Sequence, residues 1–430
     1  MKRTVLPFVT LCAAALLLAV NAKPSVVTRT RAAAPSPAAV TPRERRFAFE
    51  YKTTVKEIPS GAKKVELWIP VPHDSPLQTI KGLTVESPYP YKMHSMKYGN
   101  RVIHLTVENP TQTSFTVTMR FDAVRWEHVK ERLSDASFAP AREERDPDTS
   151  RWLKPDRLVP IDGKVRQWSQ EVVDAAGAKT DLEKARAIYN HVVSTVKYDK
   201  TGQGWGRGDI YYACDARRGN CTDFHAIFIG YARAQDIPAR FQIGFPLPSA
   251  RGEGQIAGYH CWAEFYIKGI GWIPVDASEA AKDPSRREYF FGAHDENRVE
   301  FTRGRDLTLS PKQKGDALNY FVYPYAEVDG KPLSSVERTV SYRDQPAEPT
   351  ARLEEVDGAR PGVIVSGRSS KWPPRMSVQG RRRNASVSQA SFVSPNRYEA
   401  CHMSFGSPYD MFLPAGAVPR ASISRHAARS

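Results

Sequence analysis

The chain lacks a second long apolar run. Only Val5 to Val20 stands out, and no other stretch in the 430 residues approaches the roughly 18 apolar residues that a membrane span needs. Lys2 and Arg3 precede this run and Val20-Asn21-Ala22 follows it, so residues 1–22 are expected to be a secretory signal peptide, with no transmembrane segment after its removal. Cys12 lies inside the run, and Val9, Thr10 and Leu11 before it make no lipid-attachment motif. Cysteine is scarce, with five in the chain, and its spacing does not suit zinc. Structural zinc sites favour ligand pairs two to four residues apart; Cys214 to Cys221 is wider, and the adjacent His260 and Cys261 of an extended strand point to opposite faces. His225 is the remaining residue of that set, and no metal or organic cofactor is implied. Acids are missing from both ends. Residues 1–46 hold eight Lys/Arg against one acid and residues 361–430 ten against two, which leaves 44 of each between. The formal charge of +15 therefore belongs to the tails, and no nucleic-acid partner is expected for the folded part.

Composition divides the rest. Residues 23–46, rich in Ala, Pro, Thr and Arg, are expected to be a flexible linker. Alternating apolar positions at Phe47, Phe49 and Tyr51, at Val65, Leu67 and Ile69, at Val102, and at Phe115, Val117, Met119 and Phe121 predict an all-β sandwich-like domain over 47–124. A charged linker over 125–150 follows. Helical periodicity at 163–176 and 181–196, and then strands, predict an α+β domain over 151–340, with a last strand at 319–327. Residues 198–219, with five glycines, read as a long polar loop. Beyond 340, apolar periodicity vanishes and Pro, Ser and Arg dominate, as in a disordered basic tail over 341–430.

Three short segments carry chemistry. Gly219-Asn220-Cys221 breaks the chain and starts a helix, with Phe224, Ile227, Phe228 and Tyr231 forming its apolar stripe. A thiol in a first helical turn is pulled toward thiolate by exposed N–H groups and the helix dipole. His260 opens the strand His260-Cys261-Trp262-Ala263-Glu264, and Gly271-Trp272-Ile273-Pro274-Val275-Asp276 forms the next. If Tyr266 pairs with Trp272, Asp276 falls on the face of His260; a register shifted by one residue puts it on the other. A thiol needs an imidazole to take its proton, and the imidazole a carboxylate to fix its tautomer.

These segments resemble the transglutaminase-like superfamily of papain-related cysteine enzymes, over about 153–327. The resemblance implies a papain-like catalytic domain in which Cys221 is nucleophile, His260 general base and then acid, and Asp276 orienter. It also implies an oxyanion held by the backbone N–H of the nucleophile and an upstream indole, for which Trp205 is the nearest candidate. Asn220 and Trp262 are further oxyanion or substrate candidates. His225, one turn beyond Cys221, is a rival base, and Cys214 with Cys261 is either a disulfide or two buried thiols.

The expected activity is that of a periplasmic or secreted cysteine enzyme acting on amide bonds of a protein or peptide, cell-wall peptide included. Hydrolysis is preferred over glutamine-type cross-linking because a transferase must exclude water and bind an amine. A catalytically silent peptide-binding module on the same fold is the alternative from another class.

Overall fold

The computed structural model describes residues 42–130, 133 and 149–346. The expected signal peptide, nearly all of the 23–46 linker, and residues 347–430 of the expected tail lie outside them.

Two five-stranded antiparallel sheets build the β-rich part. The first runs Glu253–Gln255, Val336–Asp344, Glu44–Val55, Phe115–Trp126, Gln78–Glu86; the second runs Lys331–Pro332, Tyr325–Val328, Lys64–Val71, Arg101–Glu108, Tyr91–Ser95. Strict alternation in Glu44–Val55 buries Phe47, Phe49 and Tyr51 on one face, as period-two patterning requires. A third sheet, of four strands, runs Gly271–Val275, His260–Ile267, Ala239–Pro246, Arg298–Arg303. Helices α1 (Gly163–Ala175), α2 (Asp181–Thr195), α3 (Ile210–Ala216), α4 (Cys221–Ala234) and α5 (Ala277–Lys282) complete the α+β arrangement.

The β-rich part and the third sheet share one core. Phe49 stacks on Phe121 at 5.0 Å and meets Phe245 and Phe301 of the third sheet at 5.8 Å each. Rings at these separations add attraction to the roughly 1.5–3 kcal/mol that each buried side chain contributes. The Tyr51 hydroxyl donates to the Val322 carbonyl at 3.0 Å, a contact between the first strand and the late chain.

Several expected boundaries move. The first strand begins at Glu44, inside the expected linker, because Glu44 to Arg46 pair with Val124 to Trp126. The last strand runs to Asp344, past 340, since Phe47 to Val55 offer it partners throughout. His128–Val129, inside the expected 125–150 linker, pair with Ala293–His294. The strand expected over 319–327 is confined to Tyr325–Val328, where Lys64–Val71 supplies an edge. The loop over 198–219 contains α3, capped by Asp209 accepting from the Tyr211 and Tyr212 amides. Helix α4 is buried on every side, beyond its expected stripe, because it packs on the strand His260–Ile267 with α1, α2, α3 and α5 around it.

Candidate active site

Helix α4 starts at Cys221 because Asn220 caps it. The Asn220 side chain accepts from the Thr222 amide at 2.9 Å, and the Asp223 carboxylate returns to the Asn220 amide at 2.9 Å, a capping box. Asp223 also accepts from Gly206 at 2.7 Å and Gly208 at 3.0 Å, which ties the preceding loop to the helix start. Gly206 and Gly208 have φ of +84° and +60°, a backbone region closed to most side chains, and that turn aims both amides at one carboxylate. Burial pushes Asp223 up to about 6 against these three donors.

The third sheet delivers the other two groups. Tyr266 pairs with Trp272 and Ala263 with Val275, so Asp276, just past its strand, reaches the face of His260. The His260 Nε2 donates to Asp276 Oδ2 at 2.7 Å. Cys221 and His260 lie close enough that each shifts the acidity of the other, and the imidazole Nε2 is already taken by Asp276. Asp276 is held from three further directions. Arg298 Nη1 donates to Oδ2 at 3.0 Å, while Oδ1 accepts from Ser278 Oγ at 3.0 Å and from the Glu279 amide at 3.1 Å, which caps α5.

Burial opposes charge on all three groups, and their mutual attraction overcomes it. Hydrogen bonds from Cys261 and His260, with the His260 charge, hold Cys221 well below the usual thiol value. Asp276 and Cys221 raise His260 to about 10. His260 and Arg298 hold Asp276 well below the usual carboxylate range. These shifts all favour the charged forms of the three groups side by side.

Residues 166–277, which contain Cys221, His260 and Asp276, match the family model of the transglutaminase-like superfamily. The match is to the core of a transglutaminase-like domain. The chain is also 28% identical over 315 residues to an uncharacterized protein of Haemophilus influenzae, covering 65% of this chain and 85% of that one. Among solved structures, it resembles a candidate cysteine protease from Cytophaga hutchinsonii with a TM-score of 0.51 and 18% identity, over 72% of this chain and 93% of that one. A slighter likeness, TM-score 0.29 and 16% identity, joins it to the periplasmic domain of TgpA from Pseudomonas aeruginosa, over 56% and 90% of the two chains. At 18% identity the likeness to the Cytophaga hutchinsonii structure concerns the fold alone.

The other expected residues of the transglutaminase-like domain take different places. The Trp205 indole donates to Gly202 O at 3.1 Å within its own loop and is not aimed at the thiol. Asn220 is the helix cap and donates to the Tyr259 hydroxyl at 2.9 Å. Trp262 is fully buried, its ring 5.8 Å from His260 and 4.9 Å from the Arg298 guanidinium, so it backs the imidazole and lines no cleft. His225 turns its Nδ1 to the Cys221 carbonyl at 2.8 Å, and burial lowers its pKa. Cys214 and Cys261 are free thiols and do not pair with each other. Cys214 sits 3.4 Å from the Tyr231 hydroxyl, whereas Cys261 lies beside the Cys221 thiol and 3.7 Å from His225 Nδ1. A cleft of about 640 Å³ beside Trp168, Cys214 and Tyr231 includes none of Cys221, His260 and Asp276.

Arg298, Tyr259 and Cys261 are the participants that the sequence did not single out for this site. Tyr259 adjoins His260, so its position was a usable signal; its hydroxyl also lies 3.0 Å from Thr222 Oγ1. Arg298 comes from a separate strand and leaves no local trace.

Proposed function

We propose that this protein is a periplasmic or secreted cysteine hydrolase that cleaves amide bonds in a protein or peptide, with Cys221 as nucleophile, His260 as base and acid, and Asp276 as orienter. The Cys221–His260–Asp276 cluster carries the reading: one imidazole beside the thiol and hydrogen-bonded at 2.7 Å to a buried carboxylate. The thiolate attacks the carbonyl carbon and the C=O electrons move to oxygen. The Cys221 N–H, at a helix start where amides lack intrahelical acceptors, is placed to receive that oxyanion. Collapse of the adduct breaks the C–N bond, and His260 delivers its proton to the leaving amine. His260 then takes a proton from water, whose oxygen attacks the thioester and frees the acid and the thiolate.

Cys221 is 2% exposed, so the residues above it must part to admit substrate. The export reading rests on the Val5–Val20 run. Among the described residues no helix is long and apolar enough to cross a membrane. Incubating wild type and Cys221→Ala with secreted proteins and cell-wall peptides tests the activity by mass spectrometry. New amino termini made only by wild type are expected. Cross-links without new termini would establish a transferase, and no change with failure to alkylate Cys221 would establish a binding module.

A further inference from the structure

The strand His260–Ile267 carries a second buried polar cluster at Glu264, on the same face as His260 and two alternations along. It joins three parts of the chain. Glu264 belongs to the third sheet, while His128 and His294 are register partners in the short ladder between the β-rich part and the segment after α5. One ligand atom from each of these three residues lies within 4.8 Å of the other two.

The polar atoms here are left over. His294 is fully buried, and neither of its ring nitrogens has a hydrogen-bond partner. His128 Nδ1 is enclosed and lies 3.3 Å from Glu264 Oε1, an ion-pair distance without hydrogen-bond geometry. Buried polar groups without partners are rare in native proteins and call for a water, an ion or a functional account. The 3.3 Å spacing is informative. Donors about 2.0–2.1 Å from a tetrahedral zinc stand roughly 3.3 Å from one another.

We propose that His128, Glu264 and His294 form a binding site for one divalent transition-metal ion, of which zinc fits best. Two imidazoles and one carboxylate suit zinc, iron, cobalt or nickel and do not suit calcium or magnesium, which take oxygen ligands. Glu264 is prepared as a ligand from behind: Arg240 Nε holds Oε2 at 2.6 Å, which leaves Oε1 toward the histidines. Such support orients a ligating carboxylate. Three protein ligands leave a fourth position for water. The ion would pin the chain leaving the β-rich part to the sheet that carries His260, with Trp262 packed between the two clusters, 5.8 Å from His260 and 6.0 Å from His294. The site stands independently of whether Cys221 is a nucleophile.

The test uses the full chain, stripped with EDTA, dialysed and titrated with zinc sulfate or cobalt chloride. Wild type and Cys221→Ala are both expected to take up one ion per chain by elemental analysis, with a melting temperature that rises with zinc concentration. His294→Ala and His128→Ala should bind about 100-fold more weakly or worse, since loss of outer-shell support alone costs 10–100-fold. His128 lies nearer the surface, so its variant keeps the comparison open if His294→Ala does not fold; circular dichroism checks both. Visible bands of tetrahedral cobalt should disappear in the histidine variants and persist in Cys221→Ala. Binding by wild type weaker than about 1 mM would overturn the proposal and leave buried water as the partner of these histidines. Binding lost in Cys221→Ala but kept in His294→Ala would overturn it too, by placing the ion at the thiol.

Discussion

One strand face holds two buried polar clusters that differ in completeness. At the His260 end, Cys221, His260, Asp276 and Arg298 each find a partner of opposite charge. Four residues on, past Trp262, the Glu264 end leaves His128 Nδ1, both ring nitrogens of His294 and two nitrogens of Arg125 without hydrogen bonds. Both clusters carry the desolvation of charged or polar groups; the first offsets more of it within the protein, while at the second Arg240 pairs with Glu264 and the histidines are left over. A paired network can be altered only by breaking it, whereas an unpaired one can be altered by adding something.

The largest expected effect comes from Asp276→Asn. An amide cannot stabilise imidazolium, so kcat should fall about 10³- to 10⁴-fold while Cys221 still reacts with iodoacetamide; a loss under tenfold, measured on any substrate found, would remove Asp276 from its role. Next, arginine deletions should separate the two clusters. Arg298→Met leaves the Asp276 and Asp295 carboxylates facing an empty partner and should destabilise by about 3–5 kcal/mol in urea titrations. Arg125→Met removes a guanidinium that burial already lowers to about 10, and should lie within about 1 kcal/mol of wild type. Equal losses from the two substitutions would erase the contrast.

Acidity sharpens it further. His260 is raised from 6.5 to about 10, so its contribution is full below about pH 6.5 and is lost as pH rises toward 10. Cys221 is depressed from 9.0, so its contribution is full above about pH 9 and is lost as pH falls through its folded value. The two slopes cancel between about pH 6.5 and 9. The melting temperature of wild type minus that of a C221A/H260A variant should therefore be flat in that window and shrink on both sides; a difference that climbs steadily through it would refute the thiolate–imidazolium pair. The smallest effect should come from Trp205→Phe. Its indole N–H is already taken by Gly202 O, so activity should change only a few-fold; a hundredfold loss would return the indole to the oxyanion.

What could be read in advance follows from range. The cap at Asn220, the helix after it and the two strands bearing His260 and Asp276 are encoded by neighbours within a few residues, and Tyr266 opposite Trp272 follows from period two and one short turn. Cys261 misled because alternation describes a flat strand, while the tip of α4 sits close enough to touch the side chains of both His260 and Cys261. Arg298, His128 and His294 were invisible for a different reason. Their partners lie 22, 136 and 30 positions away in the chain, and no local pattern announces a contact that only the completed sheets create. The strands Gln78–Glu86 and Tyr91–Ser95 escaped notice because their faces are largely exposed and so carry little apolar alternation.

The pairing of Glu44–Val55 with Val336–Asp344 also sets a timetable. Arg45 reaches Asp344 through two hydrogen bonds, at 2.8 and 2.9 Å, across 299 residues. At roughly 5–20 residues per second of synthesis, the ribosome delivers the second strand on the order of 15 to 60 seconds after the first. Throughout that interval one side of the strand Glu44–Val55 is an open edge with Phe47, Phe49 and Tyr51 beside it, a template for pairing with the wrong chain. A stop a few residues before Asp344 would leave Phe47, Ala48 and Phe49, at the start of the oldest strand, without partners on that edge.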